Sequence, residues 1–284
     1  MDKYIFLDIV QRFFIYVVLV ILTLLAIVPI WIMIVNSTRS TEEINQGVTF
    51  IPSGNIKYNW DKLNSVGKLA NISALRAFGN SAFLALATTL VTVYFSALTA
   101  YGLQVYNFKG RAAIFGFIVF IITLPPQLGM IGFYKFMVQL KLVDSYLPLI
   151  IPAIAAPNTV FFMKQYMESV LQRELIDAAR IDGANEVSIF HQIIIPIIAP
   201  SLATMAIFAF VGTWNAFLMP YILINSNKLI TLPMFVNLLR TDIYRTEFGS
   251  IYLGIAISVV PIIAFYLFVS KYIISGLTMG GVKE

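Results

Sequence analysis

Six stretches of this chain run 18 residues or longer without a charged side chain: 13–38, 77–108, 112–134, 145–163, 192–227 and 248–270, with His191 counted as a boundary. Nothing else in the sequence restricts the fold so tightly. A helix needs about 20 residues to cross the hydrocarbon core of a bilayer, and the next longest gap, 44–56, is too short. Charged residues make up 12% of the chain and hydrophobic ones 59%, whereas roughly a quarter of a soluble domain is charged. A soluble chain of 284 residues has too little polar surface to wrap six such runs. A bilayer admits only helices or closed barrels, and these runs are too long and continuous for barrel strands. The expectation is an all-α membrane protein with six transmembrane helices in one domain covering 1–284. The spans fall at about 13–35, 77–105, 112–133, 146–163, 198–223 and 249–270.

The first run is too long for the apolar core of a signal peptide. Its flank mixes Lys3 and Arg12 with Asp2 and Asp8, and no small-residue cleavage site follows, so it reads as a retained span. With no cysteine there are no disulfides and no thiolate chemistry. Six spans put both termini on one side. If that side is cytoplasmic, nine of the nineteen Lys and Arg lie inside. Five of the others (39, 57, 62, 68 and 76) sit in or beside one long loop, which the positive-inside rule discounts. The charge balance leans only slightly toward cytoplasmic termini. A pI near 9.3 is ordinary for such a chain and gives no argument for nucleic acid.

Between the fourth and fifth spans lies a charged loop, 164–196, with the organisation of a docking element. A helix-compatible run from Glu174 to Asp182 meets Gly183, and a second amphipathic run carries Val187, Phe190, Ile193 and Ile194 at helical spacing. Pro196 opens the next apolar stretch. Glycine suits the turn of a tight helix-turn-helix. Ala178 and Ala179 leave the first helix without bulk, open to close approach by another surface.

In this loop Asp177-Ala178-Ala179 is followed after three residues by Gly183, after nine more by Ile193, and after one more by Ile195-Pro196. The pattern resembles the EAA signature of bacterial ABC importer permeases, and the wording from Ala178 to Ala184 is nearest the carbohydrate, maltose-type branch. Asp177 stands where the signature usually has Glu, which keeps the charge and shortens its reach. Gln172 stands where that branch often has Pro, which leaves the entry angle open. The resemblance implies the type I ABC importer permease fold with both termini cytoplasmic, in a bacterial inner or plasma membrane. It implies that the loop seats in a cleft of an ATPase subunit through Glu174, Asp177, Ala178, Ala179, Asp182, Gly183, Phe190, Ile193 and Pro196. The implied partners are a second homologous permease, two ATP-binding subunits, an extracellular solute-binding protein and membrane lipid. ATP and Mg would be bound by the ATPase subunits, with no cofactor or metal in this chain.

The inventory of side chains agrees with a driven transporter. The six spans hold no Asp, Glu, Lys, Arg or His in their interiors, and such groups build proton relays and ion pathways. No phosphate-cradling GxxxxGK[ST] occurs. His191 is the only histidine and there is no cysteine, so neither a zinc site of His and Cys ligands nor a Cys-His pair can form; His191 reads as a surface or packing residue of the charged loop, and a non-catalytic subunit is expected. Glu42-Glu43 reads as solvated charge. A self-contained secondary transporter or facilitator is the alternative; Pro125-Pro126 and Pro148, Pro152 and Pro157 could break helices as such carriers require. A scaffold without transport is a third reading.

Two sets of residues are candidates for a solute path. Ser81, Thr88, Thr92, Ser96 and Thr99 lie along one face of the second span, either packing against other helices or lining the path. In the fifth span Trp214 and Asn215 pair an aromatic face with an amide, which suits a sugar equally as it suits packing and an interhelical hydrogen bond. The run from Trp214 to Pro220, the turn from Phe108 to Arg111 and the tail also resemble the carbohydrate branch. There the tail, here Met279, Gly280, Gly281 and Lys283, can reach the ATPase interface. Together these features lead to the expectation of ATP-driven import of a sugar or oligosaccharide.

Overall fold

Prolines stand at both sharp bends of the apolar runs, while Pro29 and Pro261 lie inside helices that continue past them. The computed structural model describes residues 3–69, 71–240 and 246–280, and among them every regular element is helical. In chain order these are α1 (Lys3–Ser37), α2 (Thr41–Asn45), α3 (Ile56–Leu69), α4 (Ala74–Val105), α5 (Arg111–Ile122), α6 (Met130–Gln139), α7 (Leu147–Ile150), α8 (Pro157–Val170), α9 (Arg173–Ile181), α10 (Glu186–Ser188), α11 (Ile195–Ile197), α12 (Ala199–Trp214), α13 (Leu218–Leu223), α14 (Leu232–Leu238) and α15 (Phe248–Gly280). Four stretches are long and apolar enough to cross a membrane: Val10–Ser37, Ala74–Val105, Leu147–Val170 and Phe248–Ile273. They become six if two bent pairs each count as one span.

Both bends have a covalent cause. Arg111–Ile122 and Pro126–Gln139 meet at 91°, because Pro125 and Pro126 disfavour helical backbone before them and donate no N–H. Glu186–Ile197 and Ala199–Trp214 meet at 80°, where Pro196 and Pro200 bracket Ile198 at φ −91°, ψ 8°. The run expected at 146–163 is likewise interrupted. A 3-10 turn at Ile151–Ile154 follows α7, and α8 begins at Pro157, which starts a helix well because its missing N–H is not needed there.

The chain divides into two compact units, 1–70 with 236–259 and 71–235 with 260–284. In the first, α1 exposes its apolar surface over most of its length, while Val35, Asn36 and Ser37 at its end are buried. The segment after it, expected as one long loop, holds two helices. Ser40 and Glu43 close a reciprocal capping box at α2, Glu43 N–H to Ser40 Oγ at 3.3 Å and Ser40 N–H to Glu43 Oε2 at 2.9 Å. Glu43 is therefore not the solvated charge its neighbour suggests. It also accepts from Ser53 Oγ (2.9 Å) and Asn55 Nδ2 (3.1 Å), and these bonds, the Ser40 N–H first, hold its carboxyl below the usual range. Arg39 is buried and donates to Asn36 Oδ1, Gly47 O and Glu43 O. Asn59 reaches Ser37 O and Arg39 O, both at 2.9 Å. A Cβ on Gly249 would lie 2.2 Å from Arg39 O, so only glycine lets α15 begin so close to this backbone.

The second unit is organised around α4, against which α8 and α12 pack. Its 32 residues span about 48 Å at 1.5 Å per residue. Near its N-terminal end a strap, 223–232, is gripped by side chains. Asp144, at φ 64°, accepts from Asn225 N–H (2.9 Å), Ser226 N–H (2.7 Å) and Ser226 Oγ. Asn80 donates to Lys228 O (2.9 Å) and Ile230 O (2.8 Å), Arg76 Nε to Lys228 O (3.1 Å), and Tyr146 Oη to Leu229 O (2.8 Å). Ser81 Oγ accepts from Leu232 N–H at 2.8 Å.

Candidate coupling loop and cavity

At the other end of α4 sits the charged loop. Its first helix, α9, has Glu174 in the first turn and Arg180 in the last, each favourable to the helix dipole. It ends in a Schellman motif: Ala184 N–H donates to Ala179 O (3.0 Å) and Gly183 N–H to Arg180 O (3.1 Å). Gly183 supplies the left-handed backbone this motif requires, at φ 81°. The second half starts at Asn185, whose Oδ1 caps Ser188 N–H at 2.8 Å. It then widens into a π-helical stretch, Ile189–Ile194, immediately before Pro196.

The loop has an inner and an outer face. Ile176, Ala179 (8% exposed), Ile189, Phe190 (2%) and Ile194 point inward. They pack with Ala97, Ala100 and Tyr101 of α4, Met163 and Met167 of α8, and Ile198. Ile193 lies at the edge of this cluster. Outward go Glu174, Asp177, Ala178, Asp182, Gly183 and Pro196, together with Leu175, Ile181 (86% exposed) and Val187 (69%). The nine predicted loop residues thus lie in one element but on two sides of it. Ala179 and Phe190 form its seat, and Ala178 carries the unbulky outer surface. Val187, grouped with Phe190 by helical spacing, faces out, because the π-helical turn changes the phase of the residues behind it. His191 is exposed, its Nδ1 2.8 Å from Val187 O and its Nε2 3.3 Å from Tyr94 Oη.

A polar cluster that sequence reasoning missed joins loop and bundle. Glu186 accepts from Tyr101 Oη (2.8 Å), from Tyr106 Oη and from Arg180 Nε (2.9 Å). Arg180 also reaches Asp177 Oδ1 at 3.3 Å, and its guanidinium lies 5.7 Å from the Tyr106 ring centre. The Tyr106 hydrogen bond, then that of Arg180, hold the Glu186 carboxyl below its ordinary range. The only sequence signal was the Arg180-to-Glu186 spacing across Gly183.

The candidate path residues lie elsewhere. Trp214 is 1% exposed; its ring stacks on Phe210 (5.7 Å, 15°) and meets Phe78 edge-on (5.5 Å). Asn215 caps α12 with its side chain exposed. Thr88, Thr92 and Ser96 are buried in α4. A cavity of about 530 Å³ opens nearby, with Leu84, Pro126, Phe133, Pro152, Thr213 and Met219 in its wall; none of the seven candidate path residues belongs to that wall. It is lined where α5, α7 and α12 are broken, so the helix breaks create it. In the tail, α15 continues through Met279 and Gly280, while Gly281 and Lys283 lie outside the described residues.

Residues 92–278 match the family described as "Binding-protein-dependent transport system inner membrane component". The arabinooligosaccharides transport system permease protein AraQ of Halalkalibacterium halodurans is 37% identical over 262 residues, covering 91% of this chain and 92% of its own. The trehalose/maltose transport system permease protein MalG of Thermococcus litoralis is 28% identical over 97% of this chain and 98% of its own. A chain from the crystal structure of a bacterial ABC transporter that imports the acidic polysaccharide alginate superposes with a TM-score of 0.75. It is 24% identical and covers 96% of this chain and 98% of that one, a likeness of fold. A loop with a sealed inner face and an open outer one, on a bundle of broken apolar helices, accords with these matches, and the chain belongs to the family of binding-protein-dependent transport system inner membrane components.

Proposed function

We propose that this chain is one membrane subunit of an ATP-driven importer for a sugar or oligosaccharide, driven through the loop at 173–197. Family membership makes it a multi-pass protein of the bacterial membrane that works with other transporter components, a binding protein and an ATPase among them. In our reading the full complex holds a second homologous permease and two ATP-binding subunits, and both termini of this chain are cytoplasmic. ATP and Mg bind to the ATPase subunits, and this chain contributes no catalytic residue. The solute class is supported by the relatives, named for arabinooligosaccharides and for trehalose and maltose.

The observation that carries this reading is the outer face of the loop. Exposed Leu175, Ile181 and Val187 share the surface of the loop with exposed Glu174, Asp177 and Asp182 and with Arg173 and Arg180, a patch that mixes apolar and charged side chains. Such a patch is the make-up of a protein-protein contact. In our reading it enters a cleft of the ATPase, and nucleotide closure moves it as a lever. The equilibrium between inward- and outward-facing states is then biased by the partner that binds one state better. Met279 and Gly280, with Gly281 and Lys283 beyond, are our candidates for a tail contact with the same subunits. Trp214 and Asn215, with Thr88, Thr92 and Ser96, are kept as helix-packing residues beside the path.

Two substitutions test the loop. Gly183→Val forces a β-branched residue into left-handed backbone, and Ala179→Asp puts a charge into the apolar seat. Each is expected to abolish uptake and solute-stimulated ATPase activity while the chain still inserts in the membrane. Normal coupled uptake in either variant overturns the assignment.

A further inference from the structure

The seat of the coupling loop is smooth. Ala97, Ala100, Met163 and Met167 present small or pliable side chains to Ile176, Ala179 and Ile189, and such apolar contacts are non-directional. A lever seated only in this way could slide without moving what lies behind it. Two single hydrogen bonds tie loop to α4, His191 Nε2 to Tyr94 Oη at 3.3 Å and Arg173 to Gln104 O at 3.5 Å, but directional contacts converge at one carboxylate, which takes hydrogen bonds from α4, from the residue that caps α4, and from α9.

We infer that Glu186 is a positioning residue that fastens the coupling loop to the C-terminal end of α4, through Tyr101, Tyr106 and Arg180. The inference rests on the loop being the ATPase contact. Glu186 is 80 and 85 residues away in sequence from the two tyrosines, so the joint ties separate helices rather than neighbouring turns. Charge-assisted hydrogen bonds are stronger and better aimed than neutral ones. Arg180 completes the joint from across the Gly183 turn, which locks the two halves of the loop to each other as well. The helix so fastened is the one that reaches the cavity wall at Leu84 and grips the strap with Asn80 and Ser81. Displacement of the loop is thereby delivered to the cavity along a single stiff helix.

The test uses the whole transporter reconstituted in liposomes, reading solute moved per ATP hydrolysed. Tyr101→Phe with Tyr106→Phe removes both hydroxyls and leaves the outer face of the loop untouched. The expected result is an assembled complex that keeps most of its ATPase activity but moves at least about ten-fold less solute per ATP, the lower end of the scale of one charge-assisted hydrogen bond. An unchanged ratio, whether or not both rates fall, overturns the inference. A second variant covers a folding defect. The chain has no native cysteine, so Tyr106→Cys with Glu186→Cys can be bridged by a short reducible bis-thiol reagent. Bridging is expected to restore the ratio and reduction to lower it again; equal ratios in both states also overturn the joint. Absence of any co-purifying ATPase with the unmodified chain would instead defeat the proposed function itself.

Discussion

The two ends of α4 are held in opposite ways. Near its N-terminus, Arg76, Asn80 and Ser81, with Asp144 and Tyr146, grip the main chain of 223–232 through its own N–H and C=O groups. Near its C-terminus, side chain meets side chain at Glu186 over an apolar seat. Gripping a backbone fixes its conformation whatever side chains it carries, so the strap is a static mount. A joint of side chains leaves each helix intact and ties only their relative position, as a moving part requires. On the proposed coupling role of the loop, one helix thus joins an anchored end to a driven end.

The largest expected effect comes from breaking the driven end. Phe190→Ala removes a ring that meets Tyr101 at 5.5 Å and Tyr94 at 6.1 Å. Truncating a buried Phe costs about 3–5 kcal/mol. Hydrogen exchange across 186–198 should rise steeply and uptake should be lost, with the amides of Asn225 and Ser226 as protected as before. Equal loosening at both ends would show that they are not independent.

The converse substitution is expected to be smaller. Asp144→Ala leaves the N–H groups of exposed Asn225 and half-buried Ser226 without their acceptor, about 0.5–1.5 kcal/mol because water can reach them. The strap should lose protection while the coupling loop and the ATPase rate keep theirs. Acid should do the same to the unmodified chain. Asp144 is held below its ordinary carboxyl range, chiefly by Ser226 Oγ and then by the Ser226 N–H. A depressed value in the fold means the grip is fully present above the unfolded value, near 3.9, and is lost as pH falls through the folded one. Strap protection, corrected for intrinsic exchange, should be level from about pH 8 to 5 and fail only below about 4.

Much of this was legible in the sequence for physical reasons. A bilayer punishes charge, so uncharged runs marked the helices, and a proline's missing N–H marked the breaks at Pro125 and Pro157. Gly183 marked the loop because its backbone angle is closed to other residues. The face of Val187 was not legible, because counting at 3.6 residues per turn fails across a π-helical stretch. Nor could the sequence tell that the Trp214 ring packs against Phe210 and Phe78. The capping box of Ser40 and Glu43 is present as a pattern, yet beside Glu42 it reads as free charge. The Glu186 joint depends on tyrosines 80 and 85 residues away, a distance that no local pattern spans.

Between the two ends, the middle of α4 should be nearly indifferent to loss of its hydroxyls. Ser96 is fully buried, and its Oγ has no hydrogen-bond partner among the described residues; the same holds for Thr88 and Thr89. A buried hydroxyl without a partner has lost its hydration and gained nothing in exchange, so its removal carries no penalty of a broken bond. What Ser96 contributes is small size, which lets neighbouring helices approach α4 closely. Ser96→Ala keeps that size and should change stability by no more than about 0.5 kcal/mol, with uptake kinetics unaltered. Ser96→Leu, which overfills the same site, should cost about 1–3 kcal/mol. If the alanine variant instead changed the apparent affinity for solute, the hydroxyl would belong to the path, and α4 would be a recognition surface along its length rather than a rod between an anchor and a lever.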